Sequence, residues 1–303
     1  MQKAIVTGAN GFVGSAVCKE LSDRGIKVTA VVRNEDSSID RIKDIGNLNI
    51  VFCEMSEIER LPSITNEMYD VMYHFAWMGS AGHLRADYEV QLNNVKWTCD
   101  AVRTAKQLGC KRFVFAASIM EYEIQKLMQT NKNAGANTLY SASKITAEYM
   151  ARIVANSCEI DYLGGVISNI YGPGEIGPRL INTTIRKMQN QEFCEFSPGE
   201  QIYDFIFIDD AAKAFVAIGE KGKKNTSYYI GSLFPKPLKE YLLDLRDVVS
   251  PGTEIGLGVL PFCGVSLSYK EFDIEALKKD TGFAPVVPFK EGIRLTADWL
   301  KEN

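Results

Sequence analysis

Two rhythms of apolar residues alternate along the first half of this chain. Short β-type runs begin at Lys3 and recur at 27–32, 49–53, 70–75, 112–117 and 161–167. Between the first two, Val13, Val17 and Leu21 recur at helical spacing, and Gly25 marks the stop. Longer helical patterns cover 88–108 and 138–157. Strands alternating with helices predict an α/β fold with a doubly wound parallel sheet covered on both faces. Ligands of such sheets lie outside the carboxyl ends of the strands, where Gly8, residues 74–77, Ser118 and residues 167–169 fall. Beyond residue 170 the rhythm changes. Tyr171-Gly-Pro-Gly174 and Gly177-Pro178 break the pattern, irregular β-type pieces fill 195–207, and helices are predicted at 179–190, 210–219, 237–247, 273–280 and 289–301. Several of these carry acid near the start, as at Asp209, Asp210 and Asp273.

Composition narrows the classes. The chain has 303 residues, 46% hydrophobic and 24% charged, with a net charge of −4, room for one large domain or two modest ones. No basic run is interleaved with aromatics, so nucleic acid is not an expected partner. No apolar stretch reaches the length of a membrane span, and a strand starting at Lys3 leaves no space for a signal peptide, so a cytoplasmic protein is expected. Seven scattered cysteines without a Cys-x-x-Cys read as reduced thiols. Only His74 and His83 are histidines, neither at metal-ligand spacing, and no metal is expected. His74 reads as a structural histidine or, alternatively, as an acid or base.

Two clusters carry candidate chemistry. Glycines at 8, 11 and 14 sit between the first strand and the first helix, where they let backbone approach a pyrophosphate that the free amides and dipole of the helix N-terminus favour. Tyr140 and Lys144 lie four apart in Tyr140-Ser-Ala-Ser-Lys144, which places phenol and ammonium on one helix face. A tyrosine titrates near 10, and a neighbouring cation moves it toward working range. Ser118, closing the run 113–117, is placed to hydrogen-bond the same substrate oxygen. Alone, a Tyr and a Lys so spaced are an ordinary helix pair; the glycine turn supplies the reason to read them as proton-transfer groups.

The glycine spacing, in Thr7-Gly-Ala-Asn-Gly-Phe-Val-Gly14, resembles the extended branch of the short-chain dehydrogenase/reductase superfamily, the NAD(P)-dependent nucleotide-sugar epimerases, dehydratases and reductases. The Ser118, Tyr140 and Lys144 set is similar to that family's catalytic triad. The resemblance is dense to residue 215 and thin afterwards. It implies a Rossmann-type sheet domain over 1–168, with a returning segment at about 202–231, and a smaller discontinuous C-terminal substrate lobe from 169–201 and 232–303. It implies cofactor contacts from Gly8, Asn10, Gly11, Phe12, Val13 and Gly14 in the turn, from Glu54 and Met55 after the third strand, and from Phe75, Ala76 and Trp77 after the fourth. Asn94, Ala116 and Ile167 complete the set with Tyr140 and Lys144, Asn94 supporting the lysine and local backbone. Glu54 would accept from the adenine amino group or stand as a solvated carboxylate; Trp77, where the family has a small residue, would narrow the entrance or simply pack. A homodimer through the helices near 88–108 and 138–157 is also implied.

At the end of the second strand stands Arg33, with no carboxylate in the ribose-binding place. Arg33 pairs there with a 2′-phosphate, making NADP the expected cofactor, or it stacks on adenine while Glu35 or Asp36 reaches the ribose of NAD. Ser118 is followed by Ile119 and Met120, where the family's 4,6-dehydratases carry Asp-Glu, and neither side chain transfers protons. Val166 and Tyr203 occupy places where the family carries arginines. Ser118, Asn169, Arg179 and Tyr203 are the expected substrate contacts, and Arg179, Arg186 and Lys187 are the candidate replacement cations or plain surface charges. The expected activity is hydride transfer at a carbinol or keto carbon of a nucleotide sugar by a 4-ketoreductase. A 4-epimerase holding its cofactor tightly, a non-catalytic NADP-binding regulator and a reductase of a non-nucleotide carbonyl remain as alternatives.

Overall fold

The computed structural model describes residues 1–130, 135–136 and 138–303. The chain opens with β1 (Lys3–Thr7), α1 (Phe12–Asp23), β2 (Lys27–Val32) and β3 (Leu48–Phe52). Next come α2 (Leu61–Thr65), β4 (Val71–His74), α3 (Tyr88–Gln107), β5 (Arg112–Ser118), α4 (Glu121–Thr130), α5 (Thr138–Ser157) and β6 (Asp161–Ile167). They are followed by β7 (Asn169–Tyr171), α6 (Leu180–Gln189), β8 (Glu195–Phe196), β9 (Ile202–Tyr203), β10 (Phe205–Phe207), α7 (Ile208–Lys221) and β11 (Thr226–Ile230). The chain ends with β12 (Lys236–Pro237), α8 (Leu238–Val249), β13 (Gly256–Leu257), α9 (Ala276–Thr281) and α10 (Phe289–Glu302).

Seven parallel strands form a sheet in the order β11-β6-β5-β4-β1-β2-β3. The chain winds outward from β1 to β3, then crosses back to β4 and winds the other way. The crevice between β1 and β4 is therefore the switch point at which an open α/β sheet binds ligand. The strands are apolar on both faces because both are covered. Ala4 and Val6 pack into one core with Val17 and Leu21 of α1 and Phe215 of α7. Ile5, Phe113 and Phe115 pack into the other, with Val95 and Val102 of α3 and Ala147 and Ala151 of α5. Neighbouring residues of one strand thus feed opposite layers, as the period of two requires. The Rossmann-type doubly wound sheet expected from the pattern is the observed one.

A third core lies beyond the sheet, where α6, α8 and α10 close over β7 and β10. Tyr171, Phe205, Tyr241 and Phe289 interlock there, with Phe205 and Tyr241 rings 5.0 Å apart and Tyr241 and Phe289 rings 4.7 Å apart. Small two-stranded pairings, β12 with β9 and β13 with β8, fasten this lobe. Among the described residues no helix is long and apolar enough to cross a membrane.

Candidate active site

The carboxyl ends of β1, β4, β5 and β6 open into one cleft of about 660 Å³, walled on its far side by residues of α6, β9 and β10. Its floor is the turn after β1. Gly8 has φ +65, and a Cβ there would come within 2.6 Å of the Ala76 amide nitrogen, so only glycine lets β1 and the loop after β4 meet. Gly11 is the N-cap of α1 and offers no side-chain cap. The amides of Phe12, Val13 and Gly14 find no acceptor among the described residues and line the cleft. Asn10 turns its amide to the Ser38 carbonyl at 2.9 Å. Arg41, which sequence reasoning passed over, donates to the carbonyls of Asn10 (3.2 Å) and Gly174 (2.7 Å), bracing the turn against the far wall. Uncapped amides over a Cβ-free floor fit a dinucleotide pyrophosphate.

Arg33, Glu54 and Met55 line the same end of the cleft, Arg33 and Glu54 exposed. Phe75, Ala76 and Trp77 continue from β4 and line the cleft as well. Phe75 sits edge-on against Phe215 at 4.9 Å, while the Trp77 indole N–H donates to Gln91 Oε1 at 3.1 Å. Asn94 holds Met78 at two points, accepting from its N–H at 2.9 Å and donating to its carbonyl at 2.8 Å. Gln91, fully buried, donates to the carbonyls of Gly79 and Leu84. One face of α3 thus staples the loop after β4. Gln91 was missed in the sequence; its signal is a polar residue on the same helical stripe as Asn94, Val95 and Thr98, all of them buried.

Ser118, at the end of β5, accepts from the Met120 N–H through its hydroxyl oxygen at 3.2 Å, which leaves its own O–H to donate. Its backbone N–H donates to Glu121 at 2.8 Å. Tyr140 and Lys144, one turn apart on α5, are both buried at the cleft. Lys144 donates to the Ala116 carbonyl at 2.9 Å and stands 3.8 Å over the Trp77 ring. Burial pushes its pKa down to about 7, against the opposing pull of Glu121 and Glu148. Those two carboxyls are also buried, and burial together with the hydrogen bond to Glu148 holds Glu121 protonated well above the usual carboxylate range. Glu148 accepts from Arg152 at 2.7 Å and from Ser227.

The structure corrects one electrostatic expectation. Lys144 was expected to draw the phenol of Tyr140 down, yet its ammonium is 6.0 Å from that ring and engaged with Trp77 and Ala116. Burial raises the phenol, and the groups that oppose the rise are Arg85 first and the Ser118 hydroxyl second. Arg85, unforeseen in the sequence, lies with its guanidinium carbon 4.0 Å from the Tyr140 ring centroid. His74 falls outside the cleft, fully enclosed between the hydroxyls of Thr7 (2.8 Å) and Thr98 (3.3 Å). Burial lowers its pKa to about 3, so the ring is neutral at pH 7.

Ile167 ends β6 and Asn169 opens β7; the Ile167 carbonyl accepts from the Ile119 N–H at 2.9 Å, and the Asn169 side-chain amide donates to Asp204 O at 3.0 Å. Tyr203 faces the cleft and stacks on Phe205 at 5.7 Å. Arg179 reaches it in an ion pair with Glu175 at 2.9 Å. Arg186 and Lys187 do not: they border a separate depression further along α6. Val166, in the place of a family arginine, is buried inside β6.

A dinucleotide-type switch-point cleft that joins a glycine turn to a Ser–Tyr–Lys set defines the class, an α/β enzyme of the short-chain dehydrogenase/reductase type. The chain belongs to the NAD dependent epimerase/dehydratase family, whose model matches residues 4–231. Among curated proteins it is 26% identical over 301 residues to the CDP-abequose synthase of Salmonella typhimurium, covering 95% of each chain. It is 25% identical over 326 residues to human dTDP-D-glucose 4,6-dehydratase, covering 100% of this chain and 91% of that protein. Among solved structures, a UDP-N-acetylglucosamine 4-epimerase from Methanobrevibacter ruminantium in complex with UDP-N-acetylmuramic acid superposes with a TM-score of 0.83 at 22% identity, over 99% and 98% of the chains. The Bordetella bronchiseptica enzyme WbmF in complex with NADH matches equally, with a TM-score of 0.83 at 23% identity, over 100% and 92%.

Proposed function

We propose that this chain carries out NAD(P)-dependent hydride transfer at C4 of a nucleotide sugar, as a 4-ketoreductase. The observation that carries the reading is the makeup of the cleft around Ser118. The glycine turn and the Ser118, Tyr140 and Lys144 side chains share one cavity, Ile119 and Met120 hold no transferable proton, and Glu121 lies buried behind Ser118 off the cleft wall. Elimination of water by a carboxylate pair next to Ser118 therefore has no agents. The turn amides of residues 12–14, with Phe75, Ala76 and Lys144 further along, would hold the cofactor, which supplies the hydride. Tyr140 gives its proton to the carbonyl oxygen as that oxygen gains charge, and the Ser118 O–H donates to the same atom. The phenolate left behind is stabilised by Arg85 across its ring, and its charge favours the ammonium form of Lys144. Asn169, Arg179 and Tyr203 would contact the rest of the substrate.

A 4-epimerase that retains its cofactor is the second reading, favoured by the 4-epimerases among the structural neighbours. Thermal shift separates the possibilities. With NADPH or NADH present, UDP, CDP, GDP and dTDP sugars are screened. NADPH is expected to raise Tm by a few degrees more than NADH, as ligand at about a hundred times its Kd adds roughly 2.7 kcal/mol. Arg33→Ala is expected to remove that preference. If NADPH shifts Tm and no sugar nucleotide does, the substrate assignment fails; loss of bound cofactor into solution on turnover supports the reductase over the epimerase.

The outer face of the paired helices α3 and α5 exposes Tyr88, Leu92, Tyr149, Met150 and Ile153. A second copy covering that face would bury them, and the expected species in light scattering is a dimer that Ile153→Asp converts to monomer. A monomeric wild-type chain would refute the pairing.

A further inference from the structure

Among the described residues, Arg85 is a cation at the sugar end of the cleft with no carboxylate paired to it. Arg179 has Glu175 at 2.9 Å, and Lys144 stands in the field of the buried Glu121 and Glu148 carboxyls. Arg85 has no ion-pair partner among the described residues; Glu123 acts on it through its field without a paired contact. Its Nη1 donates to the Ser80 carbonyl at 2.9 Å, while Nε and Nη2 have no acceptor among the described residues. Burial lowers its pKa against the smaller opposing pull of Tyr140 and Glu123, so the charge is partly stripped of water with no carboxylate paired to it among the described residues. The side chain is also pre-positioned. It projects from the 3₁₀ turn His83–Ala86, whose Leu84 carbonyl is tied to Gln91 at 3.0 Å, and its guanidinium stands over the Tyr140 ring.

Resting on the nucleotide-sugar reading above, we propose that Arg85 binds a carboxylate on the sugar, so that the substrate is an acidic sugar nucleotide of the uronate type. The place of the charge argues for this source. Tyr140 must reach the oxygen on the reacting C4, so a group stacked on its ring stands at that end of the hexose. The diphosphate leaves from C1, across the ring, whereas a C6 carboxylate hangs on C5, the immediate neighbour of C4. A planar guanidinium with two free N–H directions matches a carboxylate, and such charge-assisted pairs are about twice as strong as neutral hydrogen bonds.

The test is calorimetric titration at saturating NADPH with UDP, UDP-glucose and UDP-glucuronate, and with GDP-mannose and GDP-mannuronate, against wild type, Arg85→Met and Arg85→Lys. Wild type is expected to prefer the acid over its neutral twin by about tenfold. Arg85→Met is expected to bring that ratio close to one and leave the affinity for free nucleoside diphosphate and for NADPH unchanged, and Arg85→Lys to keep part of the preference. Retained NADPH binding certifies that the variants fold. A wild type that binds both twins alike overturns the inference and leaves the nucleotide-sugar reading standing. Equal weakening of UDP, neutral and acidic ligands by Arg85→Met also overturns it, assigning Arg85 to the diphosphate. No binding by any of these nucleotides, together with no Tm shift by the CDP and dTDP sugars of the thermal screen, overturns the substrate class itself and this inference with it.

Discussion

Tyr140→Phe is expected to lower kcat on the sugar nucleotide found by the screen by about a thousandfold, within the range of roughly 10² to 10⁴ that a positioned general acid contributes. The size follows from the lack of a substitute. His74 is neutral and walled off by Thr7 and Thr98. Glu121, its pKa raised by burial and by Glu148, is turned to the Ser118 amide, away from the cleft. Arg85, though in contact with the ring, stays charged and gives up no proton. Cofactor affinity is expected to change by less than about threefold, since one missing hydroxyl leaves the ring between Arg85 and the edge of Trp77, 6.0 Å away, and does not touch the glycine turn. NADPH titration by tryptophan fluorescence reads the second quantity, Trp77 being part of the cleft wall. A variant that keeps a tenth of wild-type kcat would remove Tyr140 from the acid/base role. One that loses cofactor binding as well would make it a structural residue.

The sheet was legible because burial on both faces forces continuous apolar runs, and those runs fall where β1, β2, β5 and β6 stand. β11 was not read as a strand. Thr226–Ile230 is short, and its place is set by β6 some sixty residues earlier, a pairing that no local pattern reports. The helix α4 was not read either, and the packing that gives its Glu121 meaning comes from α5, another element. The predicted helix over 273–280 shortens to Ala276–Thr281, so Asp273 precedes it instead of starting it. In the cleft, residues that follow strand ends could be placed from sequence because topology alone brings strand ends together. Arg85 could not. It comes from an irregular loop whose course is fixed by Gln91 and Asn94, and only the folded chain shows that this loop ends over Tyr140. The same limit explains why Arg186 and Lys187 stood level with Arg179 in the sequence. Distance along the helix separates them: Arg179 stands at the N-cap of α6, beside the cleft, while Arg186 and Lys187 lie in its last turn and border another depression.

The glycines of the first turn are expected to part company under substitution. A Cβ on Gly14 would overlap the Gly8 carbonyl oxygen and come within 2.9 Å of its carbonyl carbon. Both are backbone atoms, so the turn itself must open. Gly14→Ala should therefore lower the Tm of the cofactor-free protein by several degrees, in line with the roughly 1–3 kcal/mol that forced overpacking costs, and abolish cofactor binding as the floor distorts. Gly11 differs. Its backbone, φ −74 and ψ 170, is ordinary for any residue, and a Cβ there meets only the Gly8 carbonyl oxygen at 3.2 Å. That contact is relieved by a shift of a few tenths of an ångström, so the cofactor-free Tm of Gly11→Ala should stay within about 2 °C of wild type. The methyl group would nonetheless stand beside the free amides of residues 12–14, where the pyrophosphate would lie, and weaken NADPH and NADH alike by about a hundredfold, or ~2.7 kcal/mol. Calorimetry and titration on the two variants read stability and affinity separately. Wild-type cofactor affinity in Gly11→Ala would mean that no phosphate approaches the turn. Equal losses of stability in both variants would mean that Gly11, like Gly14, is kept for the fold, and the open floor of the cleft would lose its reason.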